Sequence, residues 1–329
     1  MSSGQQNANP QRIILDCDPG IDDALAIAFA CGHPGLELSG VTTVAGNVDL
    51  PTTTANALSV LELAGQPGVP VAPGSTEALL RPPIHARGVH GEGGLGSARL
   101  PTAAAKPISR HAADFLIEAA AAAPGEITLV AVGPLTNVAL AVRREPRLVT
   151  WVKDIVIMGG STGRGNVTPA AEFNIAYDPE AAAIVFAAGW TVTMVGLDVT
   201  LQARATPDVQ QRMRGLGRLG SDLLLPGLLG YRGEPAAPGA QAGPPVHDVC
   251  ALALVASPAL FGILPARVEV ETAGRWTAGM TVTDFAAATD SHNARVAVSI
   301  DVASFWDLVL SAYARLPAAR EEATPSSTR

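Results

Sequence analysis

Short β-branched runs alternate with alanine-rich segments of helical period along nearly the whole chain, and that alternation restricts the possible architectures more than any other feature. The runs "RIILD" (12–16), "LELSGVTTVAG" (36–46), "EITLVAVG" (126–133), "VKDIVIMGG" (152–160) and "TVTMVGLD" (191–198) have the continuous apolar character of strands buried on both faces. Between them, "DDALAIAFACG", "TTANALSVLELAG" (53–65), "ISRHAADFLIEAAAAA" (108–123), "TNVALAVRRE" and "PEAAAIVFAAG" repeat apolar residues at helical spacing. Strands separated by helices need crossover connections. The expected fold is therefore α/β, with a mostly parallel open sheet, doubly wound in the Rossmann-like manner. Late in the chain, "RVEVETAGRWTAGMTVTDF" reads as an antiparallel hairpin added to the main sheet. There is no internal repeat and no sharp internal boundary. The expected organisation is one domain over residues 11–316, between a disordered N-terminus (1–10) and a disordered tail (317–329). Residues 74–106 and 214–246 break the alternation, as long functional loops or disordered segments do.

Composition narrows what such a domain can serve. A chain of 329 residues that is 48% hydrophobic has enough apolar content for a large core. A formal charge of −8 argues against a nucleic-acid partner. The opening "MSSGQQNANP" has no apolar signal core, and no apolar run is long enough to span a bilayer, so no membrane partner is expected. The three cysteines, Cys17, Cys31 and Cys250, do not form a disulfide framework, and the expected location is the cytoplasm.

The stretch "DCDPGIDDALAIAFA" (16–30) crowds Asp16, Asp18, Asp22 and Asp23 at one turn, just after the first strand. Like charges this close raise one another's pKa values. Helix capping accounts for one or two acids at a helix start, not four. A hard divalent cation, Ca²⁺ or Mg²⁺, would neutralise the repulsion through oxygen ligands. An EF-hand loop is excluded, because Ile21 and Ile27 stand where it needs Gly and Glu. A P-loop is excluded, because the chain has no Gly-Lys pair. A phosphatase with Asp16 as nucleophile beside Asp18 stays open, although it leaves the Asp22-Asp23 pair without a purpose. A second cluster, "GNVTPAAEFNIAYDPEAA" (165–182), holds Asn166, Glu172 and Asn174 after another strand. Such groups suit either sugar hydroxyls or turn chemistry. A third, Val246-His247-Asp248, precedes an apolar helix. Asp248 there fits a cap, and His247 alone reads as a satisfied interior histidine.

Taken together, these pieces resemble the inosine–uridine-type nucleoside hydrolases. The opening is similar to that family's DxDPGxDD signature, and "VTTVAGNV", "GVHGEGG", "VGPLTNVALA", "IMGG", "GNVTPAAEFNIAYDPEAA" and "PVHD" follow in family order over roughly residues 11–316. The resemblance implies Ca²⁺-dependent cleavage of the N-glycosidic bond of purine or pyrimidine ribonucleosides. It implies a Ca²⁺ ion held by Asp18, Asp23, Asp248 and the backbone carbonyl of Val132, with Asp18 also the general base for the attacking water. Asp22, Asn47, Asn166, Glu172 and Asn174 would grip the ribose, and His90, Phe173 and His247 would line the base end. Asp16 would brace the ligands from behind. His247 is the expected proton donor to the leaving base, with His90, Tyr231 and water as rivals. A homo-oligomer, dimer or tetramer, is the family default. One departure concerns the segment before His247: Tyr231 is its only tyrosine, sixteen residues upstream. Trp276 is expected to pack within the hairpin rather than to stack on a base. The alternatives to a hydrolase are the Asp16/Asp18 phosphatase and a nucleoside-binding protein without turnover.

Overall fold

The computed structural model describes residues 9–231 and 242–322. Nine strands form one sheet: β1 (Gln11–Cys17), β2 (Leu36–Thr43), β3 (Val71–Pro73), β4 (Ile127–Ala131), β5 (Asp154–Met158), β6 (Val192–Val195), β7 (Phe261–Val270), β8 (Thr281–Asp284) and β9 (Ala294–Ile300). Their order is β3-β2-β1-β4-β5-β6-β9-β7-β8. Every pair from β3 across to β9 is parallel, and only β7 runs antiparallel to its neighbours β9 and β8. The chain steps outwards from β1 to β2 and β3, then returns past β1 to β4 and steps the other way. The order therefore reverses between β1 and β4. In open α/β sheets the crevice above the carboxyl ends at such a reversal is where ligands sit.

The crossover helices cover both faces, and side chains alternate between them as the pleat requires. Ile13, Leu15 and Cys17 of β1 pack with Leu25 and Phe29 of α1 (Ile21–Gly32), Leu58 and Leu61 of α2 (Leu50–Leu63) and the residues of two late helices. Ile14, Leu129 and Ala131 point the other way, onto α3 (Ala112–Ala122), α4 (Thr136–Arg144) and, beyond the short helix α5 (Phe173–Tyr177), α6 (Pro179–Phe186). The late helices of the first face are α7 (Asp248–Ala256) and α8 (Val302–Tyr313). Each fully buried Leu, Ile or Phe contributes roughly 1.5–3 kcal/mol to holding these layers together.

Three details depart from the expectations. The hairpin exists, with Arg267–Val270 paired to Thr281–Asp284, but β9 lies between it and β6. Residues 214–246 are not wholly irregular, since a π-helical segment Leu219–Leu224 runs into the helix Leu225–Gly230; residues 232–241 lie outside the described part. The described chain also runs past 316: Pro317–Ala319 forms a 3-10 turn whose Ala318 is buried in the first core, while 323–329, like residues 1–8, lie outside the described part. Among the described residues no helix is long and apolar enough to cross a membrane.

Candidate active site

β1 delivers Asp16 and Cys17 to the sheet edge, and the chain then turns through Asp18-Pro19-Gly20 into α1. Asp23 folds back over that turn. Its Oδ1 accepts the Asp18 N–H at 3.0 Å and its Oδ2 the Gly20 N–H at 2.9 Å. Capping thus occupies Asp23, and the other three acids need another reason to be there. Gly20 is required by crowding: a Cβ would lie 2.7 Å from both Asn47 Nδ2 and His90 Nδ1. All four aspartates are buried. Asp16 points back into the protein, where its Oδ1 accepts from Thr42 Oγ1 at 2.5 Å and from Asn137 Nδ2 at 2.8 Å. Asn137, in the quoted "VGPLTNVALA", has no role in the sequence reading, yet it ties Asp16 to the Thr43 carbonyl at 3.0 Å.

Asp22, Asp23 and Asp248 each present a carboxylate oxygen within 4.8 Å of the others. The expected ligand set has Asp18 in the place of Asp22. Asp18 lies against the same group: its Oδ2 accepts the Asn47 N–H at 2.6 Å, and its Oδ1 is buried with no hydrogen-bond partner. Gly46 and Gly133 wall in that carboxylate, since a Cβ on either would meet its oxygens. Burial pushes the carboxyls of Asp18 and Asp248 well up, and neighbouring aspartates add to it: chiefly Asp23 for Asp18, chiefly Asp22 for Asp248. Burial also raises Asp22, and it raises Asp23 with Asp22 as the next cause. An all-oxygen donor set of mutually repelling buried acids, one oxygen of which has no proton donor, fits a hard divalent cation.

The opposite wall comes from the loop after β5. Glu172 caps α5, accepting the N–H of Asn174 at 3.0 Å, of Ile175 at 3.2 Å and of Gly160 at 3.0 Å. Burial nevertheless lifts its carboxyl to about 7. Asn174 Nδ2 donates to the carbonyls of Val132 at 2.8 Å and Met158 at 3.1 Å, while Asn166 Oδ1 accepts the Phe173 N–H at 2.9 Å. Between the walls is a cavity of about 550 Å³. Asp22, Asn47, His90, Val132, Asn166, Glu172, Phe173, Asn174, His247 and Asp248 all line it, whereas Asp16, Asp18 and Asp23 lie beneath its surface. The structure thus brings together three clusters far apart in sequence. It adds Ile84, His85, Val89, Met158, Val167 and Leu201, which sequence reasoning missed. Only His85 carried a signal, as a histidine in an aperiodic stretch, and its Nδ1 sits 2.8 Å from the Gly46 carbonyl.

Both expected base-end histidines are buried and held neutral. His90 Nδ1 accepts the Ile21 N–H at 3.1 Å, which leaves the proton on Nε2, and burial lowers its pKa to about 4 against the pull of Asp23. His247 Nδ1 lies 2.8 Å from Thr200 Oγ1, and burial, then His90 and Arg204, lower its pKa to about 3. Tyr231 meets His90 edge-on, ring centroids 5.7 Å apart, and lines the cavity. Trp276 neither packs nor reaches the cavity. It is 77% exposed, in the connection between β7 and β8, with the Arg275 guanidinium 4.8 Å above its ring.

Comparison with known proteins bears on this geometry. Residues 13–307 match the family described as inosine-uridine preferring nucleoside hydrolase. A protein named inosine-uridine preferring nucleoside hydrolase from Crithidia fasciculata is 44% identical over 93% of this chain and 98% of its own length. The non-specific ribonucleoside hydrolase RihC of Salmonella typhi is 43% identical over 93% and 98%. Among solved structures, a purine-preferring ribonucleoside hydrolase from Gardnerella vaginalis superposes with a TM-score of 0.86 at 34% identity, covering 94% of this chain and 99% of that one.

Proposed function

The chain belongs to the inosine-uridine preferring nucleoside hydrolase family and is a ribonucleoside hydrolase, an N-glycosidase; we propose that it works with Ca²⁺ at the carboxylate cluster beneath the cavity. The observation that carries this reading is the joining of Asp22, Asp23 and Asp248, from two segments far apart in the chain, at one wall of a cavity whose other wall holds Glu172 and Asn174. Asp18, Asp23, Asp248 and the Val132 carbonyl would hold the ion, with Asp22 sharing the cluster and facing the cavity. When bound, the ion offsets the repulsion between carboxylates, orients a water and makes it more acidic.

Asp18 is the proposed general base, taking the proton of the attacking water. Asp22, Asn47, Asn166, Glu172 and Asn174 hold the ribose hydroxyls, so that the glycosidic carbon is fixed relative to that water. Departure of the base leaves an oxocarbenium-like sugar, and the surrounding anionic oxygens favour that positive charge over the neutral ground state. His90, Phe173 and His247 line the base end, with His247 as the proposed proton donor. We further propose cytoplasmic nucleoside salvage, consistent with three free cysteines, and a homo-oligomer, dimer or tetramer, for which the exposed Trp276, Val282 and Phe285 offer apolar surface.

Purified protein should release reducing sugar from inosine and uridine, lose that activity on exhaustive metal removal and regain it with added Ca²⁺. Phosphate release from a phosphomonoester would favour the phosphatase instead, but its nucleophile, Asp16, is turned back into the protein, with one carboxylate oxygen taken by both Thr42 and Asn137. Tight nucleoside binding without sugar release would leave a binding protein. Full turnover in a preparation verified as metal-free would remove the Ca²⁺ role.

A further inference from the structure

We propose that Thr281, on the outermost strand of the late hairpin, is a positioning residue for the ribose-binding loop; this rests on the reading of Glu172 and Asn174 as ribose ligands. Thr281 is 2% exposed and does not line the cavity. Its hydroxyl makes a reciprocal pair with the backbone of one residue in the loop after β5, so that it holds the two peptide units on either side of Ser161: Oγ1 accepts the Ser161 N–H at 2.9 Å and donates to the Ser161 carbonyl at 2.6 Å. Few side chains can do both from one atom. A hydroxyl can, because it carries a proton and two lone pairs.

The clamp leads directly to the sugar-binding groups. Gly160, just before Ser161, adopts φ +75°, and a Cβ there would come within 2.8 Å of Thr281 Cγ2. Its N–H points at Glu172 Oε2 at 3.0 Å. Glu172 in turn caps α5 through Asn174 and Ile175, and Asn174 Nδ2 reaches Val132 and Met158 from there. The hairpin also packs closely against this loop and the helix after it, since a Cβ on Gly279 would lie 2.9 Å from Ala176 Cα and 3.0 Å from Ala171 Cβ. A late antiparallel hairpin thus has a task that the parallel sheet leaves undone. It fixes the peptide at which β5 gives way to the loop. Removing the hydroxyl leaves a buried N–H and a buried carbonyl unpaired, and the loop relaxes away from the sugar.

The test is steady-state kinetics of the full-length protein on uridine and on its 2′-, 3′- and 5′-deoxy analogues. Thr281→Val, Thr281→Ser and Asn174→Ala are compared with wild type, per folded enzyme measured by circular dichroism. Val268→Ala, buried in β7 opposite Thr283 and with no hydroxyl to lose, serves as a stability control. Thr281→Val should lower kcat/KM for uridine about tenfold or more, the scale of a small misplacement of binding groups. It should also shrink the penalty for the same missing hydroxyl that Asn174→Ala affects. Thr281→Ser should restore both, and Val268→Ala should lower the melting temperature with the hydroxyl profile intact. A wild-type hydroxyl profile in Thr281→Val, or no rescue by Ser, overturns the proposal. Should the Val variant fail to fold, Thr281→Ala is read by the same criteria. If Asn174→Ala itself keeps the wild-type profile, the ribose reading falls and takes this proposal with it, an outcome distinct from failure of Thr281 alone.

Discussion

At the scale of single residues, the carboxylate proposed as the general base also harms stability. Asp18 is buried with one oxygen unpaired, among acids that raise its pKa. Asp18→Asn keeps an oxygen for the Asn47 N–H and removes a repelling charge. Metal-free Asp18→Asn should therefore melt at or above the metal-free wild type, while kcat on inosine falls on the order of 10²–10⁴-fold with the base lost. Near-normal kcat would assign the base to another residue. His247 poses a different problem. With its pKa near 3 it rests neutral, so a proton on it is scarce at pH 7 but readily passed on. If it serves the leaving base, His247→Ala should cost inosine on the order of 10²-fold in kcat and leave p-nitrophenyl riboside, whose leaving group needs no proton, nearly unchanged. Equal losses on both substrates would instead make it a ribose or metal-site residue.

At the scale of elements, one buried carboxylate joins three of them. Asp178 caps α6 through the Ala181 N–H at 3.0 Å, accepts from Thr136 Oγ1 of α4 at 2.7 Å, and accepts the Leu79 N–H at 2.9 Å in the loop that leads to Ile84 and His85. Asp178→Ala leaves those donors unpaired in a dry interior and should cost roughly 1–3 kcal/mol or more in urea denaturation. Asp178→Asn keeps an acceptor oxygen and should cost less. Equal costs would mean that the residue acts by filling space. Arg81 reinforces the same loop, with its guanidinium on Glu180 of α6 and on the Thr272 carbonyl of the hairpin. The cavity wall is thus held by the ends of elements rather than by its own sequence.

At the scale of the whole molecule, the buried acids couple stability to pH and to the proposed ion. Burial raises Asp16 and Glu172 to about 7, and Asp18, Asp22, Asp23 and Asp248 are raised as well. Groups with raised folded-state values stabilise the fold below the ordinary carboxylate range, and that contribution is lost as pH rises through the folded values. His90 and His247, lowered by burial, act oppositely below about pH 6.5, but at the site these two histidines stand against the six acids just named. The melting temperature of metal-free protein should therefore fall from about pH 5 to about pH 8, and excess Ca²⁺ should restore it most at the alkaline end, because ligands bound only by the folded state stabilise it. A flat profile in chelator would refute the buried-charge account. The strands, the crossover helices and the identity of the chemical groups were legible in the sequence, because apolar periodicity and the DCDPGIDD, AEFNI and VHD blocks are local patterns. Local patterns do not carry distance. The cavity's apolar lining from Ile84 to Leu201, the bracing of Asp16 by Asn137, the insertion of β9 between β6 and the hairpin, and the placing of Asp22 rather than Asp18 in the tightest carboxylate group all depend on contacts between residues far apart in the chain. Packing alone decides those contacts, because each follows from which surfaces the folded layers bury against one another.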